Sequence, residues 1–235
     1  MPGMPRSFWI LAMIDFAAAR RIMVDSQVRT SDVTDLRLVA AMQAVPRERF
    51  VPAEQADLAY LDFDIPVGAA QPGGPARRLL KPMVLAKLLQ AAGVAEGDRV
   101  LDVGCATGYS SAVLARLAGA VIAVEEDAGL AARARENLPA AGAGQVQVVS
   151  GPLADGAPTQ GPYDVILVNG AFEVAPKVLL HQLKPGGRLV GVLSSGPAGK
   201  AMLYCSIGGD CGGRPIFDAA APLLPGFAAP AAFVF

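Results

Sequence analysis

Asp102, Gly104, Gly108 and the acidic pair Glu125-Glu126 are the residues of this chain whose types and spacing suit ligand chemistry. The apolar run Arg99-Val-Leu-Asp-Val103 leads into Gly104-Cys105-Ala106-Thr107-Gly108 and then Tyr109-Ser-Ser-Ala-Val-Leu-Ala115. That order predicts a buried parallel strand, a glycine turn and a helix. Glycine at 104 removes the Cβ that would stand between a ligand and the backbone. The unpaired N–H groups at the helix start then face the ligand. A second apolar run, Ala120-Val-Ile-Ala-Val124, ends in Glu125-Glu126. It lies about 20 residues beyond the turn, where a carboxylate can accept hydrogen bonds from a ribose diol.

Other chemistries lack their residues. A dinucleotide fingerprint has glycine two places after the first, where this chain has Ala106. His181 is the only histidine, and no Gly-x-Ser-x-Gly elbow accompanies it, so a Ser-His-Asp mechanism has no support. Cys105, Cys205 and Cys211 follow neither a metal-ligand nor a disulfide spacing, which suits a reducing cytoplasm. The net charge is -1, with no long run of one sign, so no nucleic-acid footprint is present. The apolar run Phe8 to Ile14 is too short to span a bilayer. It reads as part of a disordered or misassigned start over residues 1–14, with Met13 and Met23 as alternative starts.

The elements that must position the turn follow from periodicity. The chain has 235 residues, 53% hydrophobic and 17% charged, enough for one α/β domain with additions. Helical spacing runs from Asp15 to Arg29, and Asp32 or Thr34 is placed to cap a helix from Asp35 to Val45. Pro46 and Pro52 bracket a short charged turn, Arg47-Glu-Arg-Phe50. Pro82 opens a helix that ends near Gly93. Further helices are expected over Leu130–Leu138 and Val174–Leu183. Strands are expected at Gln145–Val149, Tyr163–Gly170 and from Arg188. Ala201–Ile207 and Pro215–Leu223 read as a final antiparallel pair, and the apolar tail is expected to pack on the sheet.

Asp-x-Gly-x-x-x-Gly resembles the first motif of class I S-adenosylmethionine-dependent methyltransferases. A longer set is more specific: Met23-Val-Asp-Ser-Gln27-Val-Arg29, Val45-Pro-Arg-Glu-Arg-Phe-Val-Pro52, Ala59-Tyr-Leu-Asp62 and Ile65-Pro-Val-Gly68. Together these resemble the protein-L-isoaspartate (D-aspartate) O-methyltransferase family, from about Phe16 to the end of the core sheet. The resemblance implies a Rossmann-like α/β fold, a seven-stranded and mostly parallel sheet flanked by helices, with a helical N-terminal addition. It implies a single domain over 15–235: helices and a substrate loop to residue 82, then the cofactor-binding core.

The implied cofactor is S-adenosylmethionine. By the resemblance, Asp102 orients the turn and reaches the methionine amine through water, and Gly104, Cys105 and Gly108 admit the cofactor to the backbone. Tyr109 opens the helix beside it, Glu125 (or Glu126) accepts from the ribose, and Gly151 and Asn169 stand at neighbouring strand ends. The implied acceptor is a carboxylate of a damaged protein or peptide, which makes this a cytoplasmic repair enzyme without nucleic-acid or membrane partners.

Two departures stand out. The family's Thr-Ile-Ser falls on Arg78-Leu79-Leu80, so both loop hydroxyls are absent, and its Gly-Asp-Gly acid falls on Pro152. Asp155 is the nearest replacement for the latter. No catalytic residue carries over. Arg77, Arg78 and Lys81 form a basic cluster that suits an acidic acceptor by paired hydrogen bonds. The alternatives these departures raise are a methyltransferase for another small or peptide acceptor, and an inactive cofactor-binding scaffold.

Overall fold

The computed structural model describes residues 14–68, 76–195 and 198–230. The expectations for residues 1–13 and for the Pro-Gly-Gly-Pro run lie outside them.

Aspartates begin three of the helices. Asp15 accepts from Ala18 N at the start of α1 (Phe16–Met23), Asp35 from Arg37 and Leu38 N at α2 (Leu36–Ala44), and Asp127 from Leu130 N at α5 (Ala128–Ala140). The expected first helix is one α turn set followed by a wider-wound segment, Val24–Val28, and a tight turn, Arg29–Ser31. It stops at Asp32, whose φ is 62°. Asp32 therefore ends the first helix, and Asp35 caps the second. The helix α3 (Pro82–Ala92) has proline in its first turn and left-handed Gly93 at its end, as read.

The sheet is built from β3 (Arg99–Val103), β4 (Ala120–Glu125), β5 (Gln147–Ser150), β6 (Tyr163–Phe172), β7 (Leu183–Ser194), β8 (Gly199–Ile207) and β9 (Asp210–Asp218). Its spatial order is β5-β4-β3-β6-β7-β8-β9. All pairs up to β7 are parallel; β7–β8 and β8–β9 are antiparallel. The expected seven-stranded, mostly parallel sheet is present. A separate two-residue pair, β1 (Ile65–Pro66) and β2 (Arg78–Leu79), lies before α3.

Side chains alternate across the sheet as pleating requires. Val100, Val165 and Leu167 join the core under the N-terminal helices and α3, whereas Leu101, Val103, Ile166 and Val168 join the opposite one. The chain winds outward from β3 through β4 to β5, then returns to β6 on the other side of β3. The strand order reverses there, and ligands of open α/β sheets bind outside the carboxyl ends at such a reversal.

Two elements differ from expectation. The last strand is Asp210–Asp218 rather than Pro215–Leu223, because the Gly208-Gly209 turn, with φ of 60° and 94°, pairs Ile207 directly with Asp210. The helix α6 is only Lys177–Leu180, since Pro176 starts it late. The described part of the tail packs on the sheet, as expected; residues 231–235 lie outside the described residues. Leu223 bridges Ala171 at the end of β6, and Leu224 and Phe227 are buried.

Candidate functional site

Strand β3 carries Asp102 to the crevice, and the turn after it reverses sharply. Gly104, Ala106 and Gly108 have φ of 80°, 51° and 98°. Alanine rarely adopts that conformation, so the turn is held against a local preference, as at many functional sites. The reason is visible: Ala106 N–H donates to Glu125 Oε2 at 2.8 Å. Gly108 then begins α4 (Tyr109–Leu114), its φ open to glycine.

Glu125, at the end of β4, is fully buried. Its Oε1 accepts from Glu126 N (3.0 Å), Asp127 N (3.1 Å) and Arg77 Nη1 (3.1 Å). Its Oε2 accepts from Ala106 N and from Arg77 Nη2 (3.1 Å). The second Arg77 nitrogen also reaches Gly104 O at 3.0 Å. Burial pushes the Glu125 carboxyl upward, and Arg77 and the backbone donors oppose that. Between the two acids, Glu125 occupies the crevice. Glu126 is exposed and turns toward Leu153 N at 3.4 Å.

Asp102 is fully buried and accepts on one oxygen from Ser110 Oγ and Ser111 Oγ, both at 2.6 Å. Asn169, at the bulged end of β6, donates to Ser110 Oγ at 2.6 Å. Asp102 Oδ1 and Asn169 Oδ1 are buried without a hydrogen-bond partner among the described residues. An orphaned carboxylate oxygen and an orphaned amide oxygen suit a ligand rich in donors and positive charge.

Burial lifts the Asp102 carboxyl to about 6 against its serine donors. The folded chain therefore keeps this proton where the unfolded chain has released it, between about pH 4 and 6. Stability falls as pH rises through that window and stays lower above it. Glu125, also raised, adds in the same direction. Asp102→Asn is expected to gain on the parent as pH rises, by about 3 kcal/mol above pH 6, with little difference near pH 4. Urea denaturation at the two pH values checks this. A constant gap would mean that Asp102 has no raised value.

Other expected site residues are placed differently. A Cβ at Gly108 would meet Leu138 Cγ at 3.2 Å, so this glycine serves the packing of α4 against α5. The Tyr109 ring lies 5.6 Å from Phe50 and under the Arg47 guanidinium, within the N-terminal layer. Cys105 is buried, and burial raises its thiol well above the usual value, so it acts as a small filler. A Cβ at Gly151 would enter open space. Asp155 is exposed beyond Leu153, where its backbone carbonyl accepts from Gln182. His181 is exposed at the end of α6.

The basic cluster divides. Strand alternation turns neighbouring side chains to opposite faces. Arg77 is buried against Glu125, whereas Arg78 is exposed and donates to Asp64 O at 3.0 Å. Lys81 contributes its backbone N–H to Asp64 Oδ1 at 2.8 Å. These three cations do not form one anchor.

Two features escaped the sequence. Leu224 lies over the turn: a Cβ at Gly104 would be 3.2 Å from its Cδ1, and one at Gly170 would be 2.6 Å from its Cγ. The Asp102-holding serines also went unassigned, although Ser110 and Ser111 follow the turn directly.

The protein-L-isoaspartate (D-aspartate) O-methyltransferase family model matches residues 19–201. The chain belongs to that family. Among family members, the Koribacter versatilis protein-L-isoaspartate O-methyltransferase is 40% identical over 175 residues, covering 74% of this chain and 76% of the relative. An Anaeromyxobacter protein-L-isoaspartate O-methyltransferase 2 is 41% identical over 184 residues, 78% and 72% of the two chains. A solved protein-L-isoaspartate O-methyltransferase matches with TM-score 0.75 and 25% identity, covering 88% of this chain and 66% of that one. The fold is also that of a Plasmodium falciparum protein solved with S-adenosyl-L-homocysteine, at TM-score 0.72, 17% identity and coverage of 87% and 97%. No helix among the described residues is long and apolar enough to cross a membrane, and no cluster there suits a metal.

Proposed function

We propose that this protein transfers a methyl group from S-adenosylmethionine to the carboxylate of an isoaspartyl or D-aspartyl residue in a protein or peptide. The observation that carries this is the convergence of Glu125, Asp102 and Asn169 on the turn at 104–108. Their free or exchangeable oxygens suit a ligand with an ammonium, a ribose diol and a positive sulfur.

When bound, S-adenosylmethionine supplies a methyl already activated by that sulfur. Glu125 accepts from the ribose hydroxyls, and Asp102 and Asn169 offer the orphaned oxygens to the methionine amine. Gly104 keeps the backbone open to close approach. No residue is needed as a base, because the acceptor carboxylate is ionised at pH 7. The protein's contribution is to position two reactants and exclude water. This explains how a chain whose one histidine is exposed at the end of α6 can run the reaction. It also makes the missing loop hydroxyls dispensable for bond making, although they leave acceptor preference open.

The test is transfer of labelled methyl to an isoaspartyl peptide beside its aspartyl isomer. At least tenfold preference for the isoaspartyl form is expected. Glu125→Ala is expected to weaken S-adenosylhomocysteine binding about tenfold or more, the scale of a lost hydrogen bond to a charged group. Cofactor binding without isoaspartyl transfer would point to another acceptor. Absence of cofactor binding would overturn this reading and the cofactor-binding scaffold alike.

A further inference from the structure

The Glu125 carboxylate is already saturated. A carboxylate has about four lone-pair positions. Here it accepts three backbone N–H groups and both arms of the Arg77 fork. The three backbone donors belong to the turns that shape the site and cannot leave without unfolding them. Arg77 can leave by rotating its side chain. Its backbone is fixed, because Val67 N–H donates to Arg77 O at 2.9 Å.

Arg77 also sits where a ligand must pass. A Cβ built on Gly104 would be 3.0 Å from Arg77 Nη2, so the guanidinium occupies the space that glycine at 104 leaves open. Leu224 closes the same space from the other side. The C-terminal segment that carries Leu224 is pinned to β6 by Ala171 N–H to Pro222 O (2.8 Å) and Leu224 N–H to Ala171 O (3.0 Å).

We propose that Arg77 is a built-in competitor of the cofactor's ribose for Glu125, so that cofactor loading exchanges an internal ion pair for a ribose diol. This rests on Glu125 being the ribose acceptor. The exchange is chemically matched. A buried carboxylate that loses its cation needs replacement donors, and two hydroxyls supply them at the same two oxygens. The guanidinium, displaced from the crevice, regains water. Arg77 thereby sets a threshold on cofactor affinity and keeps Glu125 paired in the cofactor-free chain.

The experiment is calorimetric titration of S-adenosylhomocysteine into the full chain, its Arg77→Ala and Arg77→Lys variants, and the double variant Arg77→Ala/Glu125→Ala. Arg77→Ala should bind at least tenfold more tightly than the parent. Its cofactor-free form should melt at a lower temperature, and the ligand should raise that temperature by more than it does in the parent. Arg77→Lys, which keeps the charge but loses the fork, should fall between them. It serves as the test if the alanine variant does not fold. Equal or weaker binding by the variant would overturn the competition. The double variant separates the two ideas. If it binds at least tenfold more weakly than Arg77→Ala, Glu125 is the ribose acceptor, and a failure of Arg77→Ala to tighten binding sinks the competition alone. If it binds as tightly as Arg77→Ala, Glu125 is not the acceptor and both ideas fall.

Discussion

Gly104→Val is expected to abolish S-adenosylhomocysteine binding, with affinity falling beyond a hundredfold, and to lower stability as well. Two separate costs meet at this position. The backbone φ is 80°, a region that a β-branched residue enters only with strain of about 1–3 kcal/mol. The added Cβ would also lie 3.0 Å from Arg77 Nη2 and 3.2 Å from Leu224 Cδ1. Pushing Arg77 aside would disturb its pairing with Glu125, and the valine methyls would then fill the volume beside the turn. Calorimetry with S-adenosylhomocysteine and a thermal melt read the two effects apart. Gly97→Ala is the control: its Cβ would meet nothing within 4 Å, and its backbone is not left-handed. Binding by the valine variant within tenfold of the parent would place the ligand away from this turn.

The parts of the site that could be read in advance are local ones. A buried parallel strand is a continuous apolar run, so β3 and β4 announced themselves, and the acid at the end of β4 followed from the spacing alone. Helix caps were less readable: Asp32, Thr34 and Asp35 all suit a cap by residue type, and the structure uses Asp35 there and, before α5, the unassigned Asp127. The β8–β9 register was written in Gly208-Gly209, but the apolar residues from Pro215 onward drew the strand too late. Pro215–Asp218 complete β9, and the residues from Ala219 onward lead into the segment that lies across the end of β6.

What could not be read are pairings between distant residues. Arg77 and Glu125 are separated by 48 positions, and nothing about either marks the other as a partner. Three successive basic residues within five positions look alike in sequence, yet Arg77 turns inward while Arg78 faces solvent. Only the pairing of β2 with β1 decides which. Leu224 over Gly104 is more remote still, since an apolar tail residue carries no indication of the glycine it will cover. The crevice beside the turn was therefore read as a cradle of acceptors, but not as one the chain fills with its own side chains.

Arg47 gives the same lesson with a larger energetic consequence. The segment between Pro46 and Pro52 reads as a charged turn, the usual composition of a solvated surface. Instead Arg47 is fully buried, the largest such side chain among the described residues. Its Nε donates to Ala59 O at 2.8 Å and its Nη2 to Leu80 O at 2.9 Å, while the guanidinium lies 4.6 Å from the centre of the Tyr109 ring. One side chain thus ties the N-terminal layer to the segment carrying Arg77 and to the first residue of α4. Burial pulls its pKa down from the usual arginine value, and contact with the Tyr109 ring and hydroxyl opposes that. Arg47→Ala would strand two buried carbonyls and leave a large cavity. Losses of this kind cost about 3–5 kcal/mol. For a chain of this size each kcal/mol lowers Tm by about 2–4 °C, so a fall of roughly 6–20 °C is expected. Arg47→Lys should recover little of it, because an ammonium cannot span both carbonyls while stacking on the ring. A melt of Arg47→Ala within about 2 °C of the parent would show that packing of Phe50 and Tyr109, rather than the guanidinium, joins the layer to the sheet.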